Sequence, residues 1–406
     1  MDGPGAHGGP EPAGPAGPGP FAAADATGRR SLKWCRHPAA VLPAWVAEMD
    51  VAPAEPVRAA LRAAVDRGDV GYPLPGALTE LPAACAAFLA GAYGWHVDPA
   101  GVHPVADVLT GVRIALDLAA PPGAAVVLPT PAYPPFFDVL GRSGRPVVEV
   151  PMVDADDGAQ LDLDGIDCAL RAGAAAVLLC SPQNPTGRVY RRAELAALAG
   201  TVQRRGARVV ADEVHAPLTY PGHRHLPYAA VSAVTAAHTV TVTSASKGWN
   251  LPGVKCAQVI LTDPRDIARW EVEVPVHEQF GASPAGIAAN VAAYREGGPW
   301  LAEVRQHLDA NRHLLAELLA QQLPAVPYRV PDGTYLAWLD CRALDLGGPP
   351  AAFFLDRAAV ALSEGSTFGA AGTGFVRLNF ATSPAVLTQI VRRMGAAVRA
   401  GDATEP

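Results

Sequence analysis

Lysine is almost missing from this chain of 406 residues. Of its 32 lysines and arginines only Lys33, Lys247 and Lys255 are lysines. Any chemistry that needs a primary side-chain amine therefore has three candidates. The same bias, with abundant Ala, Gly and Pro, reads as GC-rich coding. Cysteines are few and scattered, at Cys35, Cys85, Cys168, Cys180, Cys256 and Cys341. No C-x-x-C pair and no histidine cluster occurs, so spacing excludes a zinc site or a disulfide framework, and no metal is expected. No run approaches the ~18 apolar residues that span a bilayer, and the N-terminus lacks a basic-then-apolar leader. Charge is sparse, at 17% of residues, and the net is −7. That balance argues against a nucleic-acid or other polyanion binder. The expectation is a cytoplasmic protein with reduced thiols and no membrane partner.

What is present is apolar bulk. Half of the residues are hydrophobic, enough for a substantial core, and a prior of ~150 residues per domain suggests two or three units. Residues 1–28 are mostly Gly, Pro and Ala and read as a disordered tail with almost nothing to pack. From 55 to 297 helical periodicity alternates with short apolar runs at Ala124–Leu128, Ala174–Cys180, Ala207–Ala211, Thr239–Thr243 and Cys256–Leu261. Runs without two-residue alternation suit strands covered on both faces, hence a large α/β domain with a mostly parallel sheet. Beyond Gly297-Gly298-Pro299 a long amphipathic helix, isolated strands and a last helix predict a smaller α+β domain over 298–406. Residues 29–54 are expected to pack with it.

Chemistry concentrates at predicted strand ends, where open α/β sheets bind ligands. Thr243-Ser244-Ala245-Ser246-Lys247 sets a lysine after a buried strand, where desolvation lowers an amine's pKa and suits it to a Schiff base. An exposed strand-end lysine is the plain alternative. Asp212, in Asp212-Glu213-Val214-His215, is placed to pair with a buried cationic nitrogen or merely to cap a turn. Asn184, in Ser181-Pro182-Gln183-Asn184-Pro185-Thr186-Gly187, could turn its amide to a ligand oxygen, although a bare N-P-T-G turn means little. Thr110-Gly111-Val112 reads as a helix start with free N–H groups for a phosphate. Tyr133, in Pro131-Ala132-Tyr133, could stack on a flat ring or sit in the core.

In that order these motifs, with Phe375-Val376-Arg377-Leu378-Asn379, resemble the pyridoxal-phosphate (PLP) enzymes of the aspartate-aminotransferase fold, fold type I, over about residues 30–400. The resemblance implies Lys247 as the Schiff-base lysine, Asp212 as partner of the pyridine nitrogen, and Asn184 at the phenolic oxygen. It implies Tyr133 on the ring, Gly111, Val112, Ser244 and Ser246 in the phosphate cup, and Arg377 as the anchor of the substrate carboxylate. His215 stands where many of these enzymes carry a tyrosine, and Lys255 where they carry an arginine. Trp45-Val46-Ala47-Glu48-Met49-Asp50 and Val70-Gly71-Tyr72 are similar to the cystathionine β-lyase-like C–S lyase branch, the MalY/PatB group. That branch implies a homodimer with shared sites, in which Tyr72 reaches the neighbouring subunit's phosphate. The implied activity is β-elimination of a thiol from an S-substituted cysteine. Alternatives are an aminotransferase, an enzyme of specialised metabolism acting on a larger cysteine conjugate, and a regulatory binding protein on the same fold.

Overall fold

A computed structural model describes Phe21 and residues 28–155 and 158–402. The expected disordered tail therefore lies outside the described residues except for Phe21 and Gly28. Phe21 is the packing residue in a stretch read as having almost nothing to pack. It is buried and stacks on His307, ring centroids 4.0 Å apart and planes 6° from parallel.

Strands β1 (Leu42–Pro43), β2 (Val102–Val105), β3 (Val126–Thr130), β4 (Val147–Pro151), β5 (Ala176–Cys180), β6 (Arg208–Asp212), β7 (Thr239–Thr243), β8 (Ala257–Leu261), β9 (Leu336–Asp340), β10 (Val360–Ala361), β11 (Ser363–Glu364) and β12 (Phe375–Asn379) form three sheets. The central one has the order β2-β8-β7-β6-β5-β3-β4. It is parallel from β7 to β4, while β8 runs antiparallel to both its neighbours, β7 and the edge strand β2.

The continuous apolar runs are explained by cover on both faces. Val126, Leu128, Leu178 and Val210 pack toward the helix Val108–Ala119. Their chain neighbours Val127, Val177, Leu179 and Val209 pack toward the helices Leu163–Arg171 and Arg192–Arg205. The latter helix stops at Gly206, whose φ of 63° is the left-handed cap that glycine takes without strain. Five strands of the sheet fall within a few residues of the apolar runs. β2 and β4 do not, because Val-His-Pro-Val and Val-Val-Glu-Val-Pro are edge strands broken by polar residues and proline.

β9, β11 and β12 make a small antiparallel sheet against the helix Pro350–Ala358, and they share one core with the helices Gly298–Gln322 and Pro384–Asp402. β1 pairs in parallel with β10, so residues near 42 run with C-terminal elements. No helix among the described residues is long and apolar enough to cross a membrane.

Candidate active site

The parallel strands β3, β5, β6 and β7 all end on the same edge of the sheet. The loops that follow them bring Tyr133, Asn184, Asp212, His215, Ser246 and Lys247 around one cavity of about 160 Å³. Among the described residues no group of His, Cys, Asp or Glu is placed to hold a metal ion.

Lys247 lies in the short helix Ala245–Gly248 directly after β7. Its Nζ donates to the carbonyl of Ala47 at 2.8 Å. Burial lowers its pKa to about 8, and the nearby Arg377 adds to the shift while Asp212 and Glu48 oppose it. Asp212 ends β6, and its carboxylate accepts from Val214 N at 3.1 Å. Burial raises its pKa to about 7, against that hydrogen bond and the Lys247 charge. A carboxylate in this position is incomplete without a cation beside it.

His215 is driven well below its ordinary value by burial, then by Lys247 and Arg377, so its imidazole is neutral. The ring sits edge-on to Tyr335 at 5.9 Å, and its buried Nδ1 has no hydrogen-bond partner. Arg377, on β12, donates from Nη1 to Asn184 Oδ1 at 3.0 Å and from Nη2 to the Trp45 carbonyl at 2.8 Å. Because the oxygen of Asn184 accepts from arginine, its amide N–H groups are left for a ligand. Tyr133 is half-buried at the start of the helix Pro134–Arg142, edge-on to Phe136.

The phosphate cup needs correction. The helix expected to open at Thr110 starts two residues earlier, at Val108, with Asp107 as its N-cap. Gly111 N is bonded within the helix to the Asp107 carbonyl, and Val112 is fully buried in the core. Gly111 serves packing, since a Cβ there would come within 2.8 Å of Val242. The first-turn N–H groups at the cavity belong to Val108 and Leu109. Ser244 also departs from expectation. Its hydroxyl donates to the Cys256 carbonyl and accepts from Ser246 N, so its role is to cap the lysine's helix. Ser246 and Lys255 do line the cavity, and Lys255 pairs with Asp107 at 2.8 Å.

The Trp45–Asp50 motif, singled out in the sequence, acts as a strap through its backbone, a role the side chains do not announce. Ala47 lines the cavity, and the carbonyls of Trp45 and Ala47 hold side chains around it. Trp45 O accepts from Arg377 and from Ser363 Oγ, and Ala47 O accepts from Lys247 and Tyr335. The strap is tied by Asn250 to Met49, by Asn379 to Val46 and Glu48, and by a buried Lys33–Asp50 ion pair at 2.9 Å. Tyr72 lies elsewhere, 98% exposed, beside a groove that includes Leu74, Leu78, Ile287 and Val291.

The donor set fits pyridoxal phosphate. A lowered buried amine, a buried acid wanting a cation, a free amide and a cationic helix start match its aldehyde, ring nitrogen, phenolic oxygen and phosphate.

The profile of the family described as aminotransferase class I and II matches residues 46–394. A proposed cystathionine β-lyase of Mycobacterium tuberculosis (strain H37Rv) is 42% identical, over 90% of this chain and 94% of that protein. The cystathionine β-lyase of Corynebacterium glutamicum is 36% identical, over 90% and 96%. Among solved structures, a proposed PLP-dependent β-cystathionase from Corynebacterium diphtheriae superposes with a TM-score of 0.89 at 38% identity, covering 94% of this chain and 99% of that one.

Proposed function

The chain belongs to the class I and II aminotransferase family, in its C–S lyase branch, and from that premise we propose a reaction: cleavage of an S-substituted L-cysteine to a thiol, pyruvate and ammonia. It is a PLP-dependent enzyme of fold type I. The observation that carries the reading is the likeness to cystathionine β-lyases along nine-tenths of both chains.

When bound, pyridoxal phosphate supplies an electron sink that makes the α-proton of an amino acid removable. Arg377 would grip the substrate carboxylate, its guanidinium already aimed by Asn184 and Trp45 O. Lys247 would take the proton from Cα. With a pKa of about 8 a useful fraction of its amine is neutral near neutral pH. Asp212 would hold a proton on the ring nitrogen, and Asn184 would donate to the phenolic oxygen. Tyr133 would lie against the ring, with neutral His215 beside it. Val108 and Leu109 N–H groups, Ser246 and Lys255 would hold the phosphate. In balance, RS–CH2–CH(NH3+)–COO− and water yield RSH, pyruvate and ammonium.

We further infer a homodimer whose sites are shared, supported by the exposed Tyr72 beside an apolar groove. Six free thiols support a cytoplasmic setting. Residues 55–297 would form the large domain, with 29–54 and 298–406 in the small one.

The test is pyruvate release from cystathionine and a panel of S-alkyl cysteines, with an α-keto acid control for amino transfer. Pyruvate and ammonia should appear in equal amounts. Amino transfer to the keto acid without pyruvate would refute the lyase reading and leave a transaminase.

A further inference from the structure

Asp107 stands at the anion end of the cavity, where a phosphate is to be held. Its Oδ1 caps the helix Val108–Ala119 by accepting from Thr110 N at 2.9 Å. Its Oδ2 lies 2.8 Å from Lys255 Nζ. Both side chains line the cavity, next to Val108, Leu109 and Ser246. The carboxylate thus uses two of the positive features that a phosphate would use, the helix start and the lysine. Burial pulls the Asp107 carboxyl upward, but Lys255 and Thr110 together hold it below its ordinary value, so it is ionised at neutral pH.

The cap itself does not require a charge, because asparagine caps a helix about as well as aspartate. The Lys255 side chain is 57% exposed, and an ion pair of that kind is weak and readily exchanged. Lys255 can therefore leave Asp107 for a second anion, but the aspartate remains beside whatever replaces it.

We propose that Asp107 tunes cofactor retention: its carboxylate competes with the cofactor's phosphate for Lys255 and repels that phosphate, so the cup holds the cofactor more loosely than a neutral cap would. This rests on the pyridoxal-phosphate reading. Two charges of like sign a few ångströms apart at a half-exposed site change affinity by about tenfold. Salt weakens the effect, since the screening length falls from ~10 Å at 0.1 M to ~3 Å at 1 M.

The experiment titrates the full-length chain, freed of cofactor, with pyridoxal phosphate and with pyridoxal, following visible absorbance. Asp107→Asn keeps the cap and removes the charge, and Asp107→Ser provides a second neutral cap should the first fold poorly. Both should tighten pyridoxal phosphate by about tenfold at low salt and by much less in 1 M salt. Pyridoxal, which lacks the phosphate, should bind all variants alike. Lys255→Met should cost more affinity in the Asp107→Asn background than in the wild type, because the lysine is no longer shared. Unchanged or weaker retention in both neutral-cap variants, or an equal gain with pyridoxal, overturns the proposal and leaves the cofactor reading standing. A wild-type chain that captures no pyridoxal phosphate overturns the cofactor reading and this inference with it.

Discussion

Lys247 and Asp212 show how far one residue's environment decides its chemistry. The amine is lowered to about 8 from 10.5, chiefly by burial. Its reactivity should rise as pH climbs through about 8, where a free lysine would stay protonated. Stopped-flow capture of pyridoxal phosphate by the cofactor-free chain, across pH 6 to 10, measures this, and Lys247→Ala should abolish the absorbance change. Asp212 carries the opposite sign. Burial raises its carboxyl from 3.8 to about 7, so the folded chain binds the proton more tightly than the unfolded one. As pH rises through that window the folded state must surrender it, and stability is lost. Asp212→Asn should therefore raise the melting temperature of the cofactor-free chain at pH 8 and leave it nearly unchanged at pH 4, while turnover of the loaded enzyme falls by orders of magnitude. A variant that melts with the wild type at pH 8 as well as at pH 4 would mean the acid is not held in a desolvated pocket. The sequence made these two residues legible because each sits beyond an apolar run, and parallel strands end on a common edge. Gly111 and Val112 depart from the reading for a local reason. T-G-V looks like a helix start, but the N-cap is Asp107, whose carboxylate takes Thr110 N. An aspartate three residues before a threonine was the available signal.

At the scale of elements, buried strands were legible and edges were not. β2 and β4 carry polar residues or proline, and β8 belongs to the central run yet lies antiparallel, a direction that composition does not encode. The strap of residues 45–50 was legible as a motif but not in its role, because it acts through backbone carbonyls. Its staple, the Lys33–Asp50 pair, has both side chains fully buried, and Trp34 Nε1 also donates to Asp50 at 2.7 Å. Burial lowers the Lys33 pKa while Asp50 opposes the shift. Removing one member strands the other charge, which costs about 3–5 kcal/mol. Lys33→Met should lower thermal stability accordingly and raise KM for the substrate, since Trp45 O no longer steadies Arg377. Adding Asp50→Asn removes the stranded charge and should recover part of the stability. If the double variant recovers a normal KM as well, the pair serves folding alone and does not position the site.

For the whole molecule, the proposed dimer turns on the surface around Tyr72. Tyr72 is 98% exposed, with Val70, Leu74 and Leu78 exposed around it. Four large apolar or aromatic side chains within nine residues make a patch that monomers rarely leave uncovered. A second copy of the chain would cover it economically, because a two-fold interface uses the same surface twice. If Tyr72 then reaches the neighbour's cup, its hydroxyl adds a donor to a phosphate otherwise held by Lys255, Ser246 and a helix start. Tyr72→Phe should weaken cofactor retention more than it slows turnover at saturating cofactor. Crossing has a separate signature in hybrid dimers of Tyr72→Phe and Lys247→Ala subunits. With shared sites, one site of each hybrid holds both lesions and the other neither, so activity at limiting cofactor returns on mixing. With unshared sites every hybrid site keeps one lesion and nothing returns. Hybrids confirmed by native mass spectrometry that stay inactive would confine Tyr72 to its own subunit, and the patch would then be an interface without a part in the chemistry.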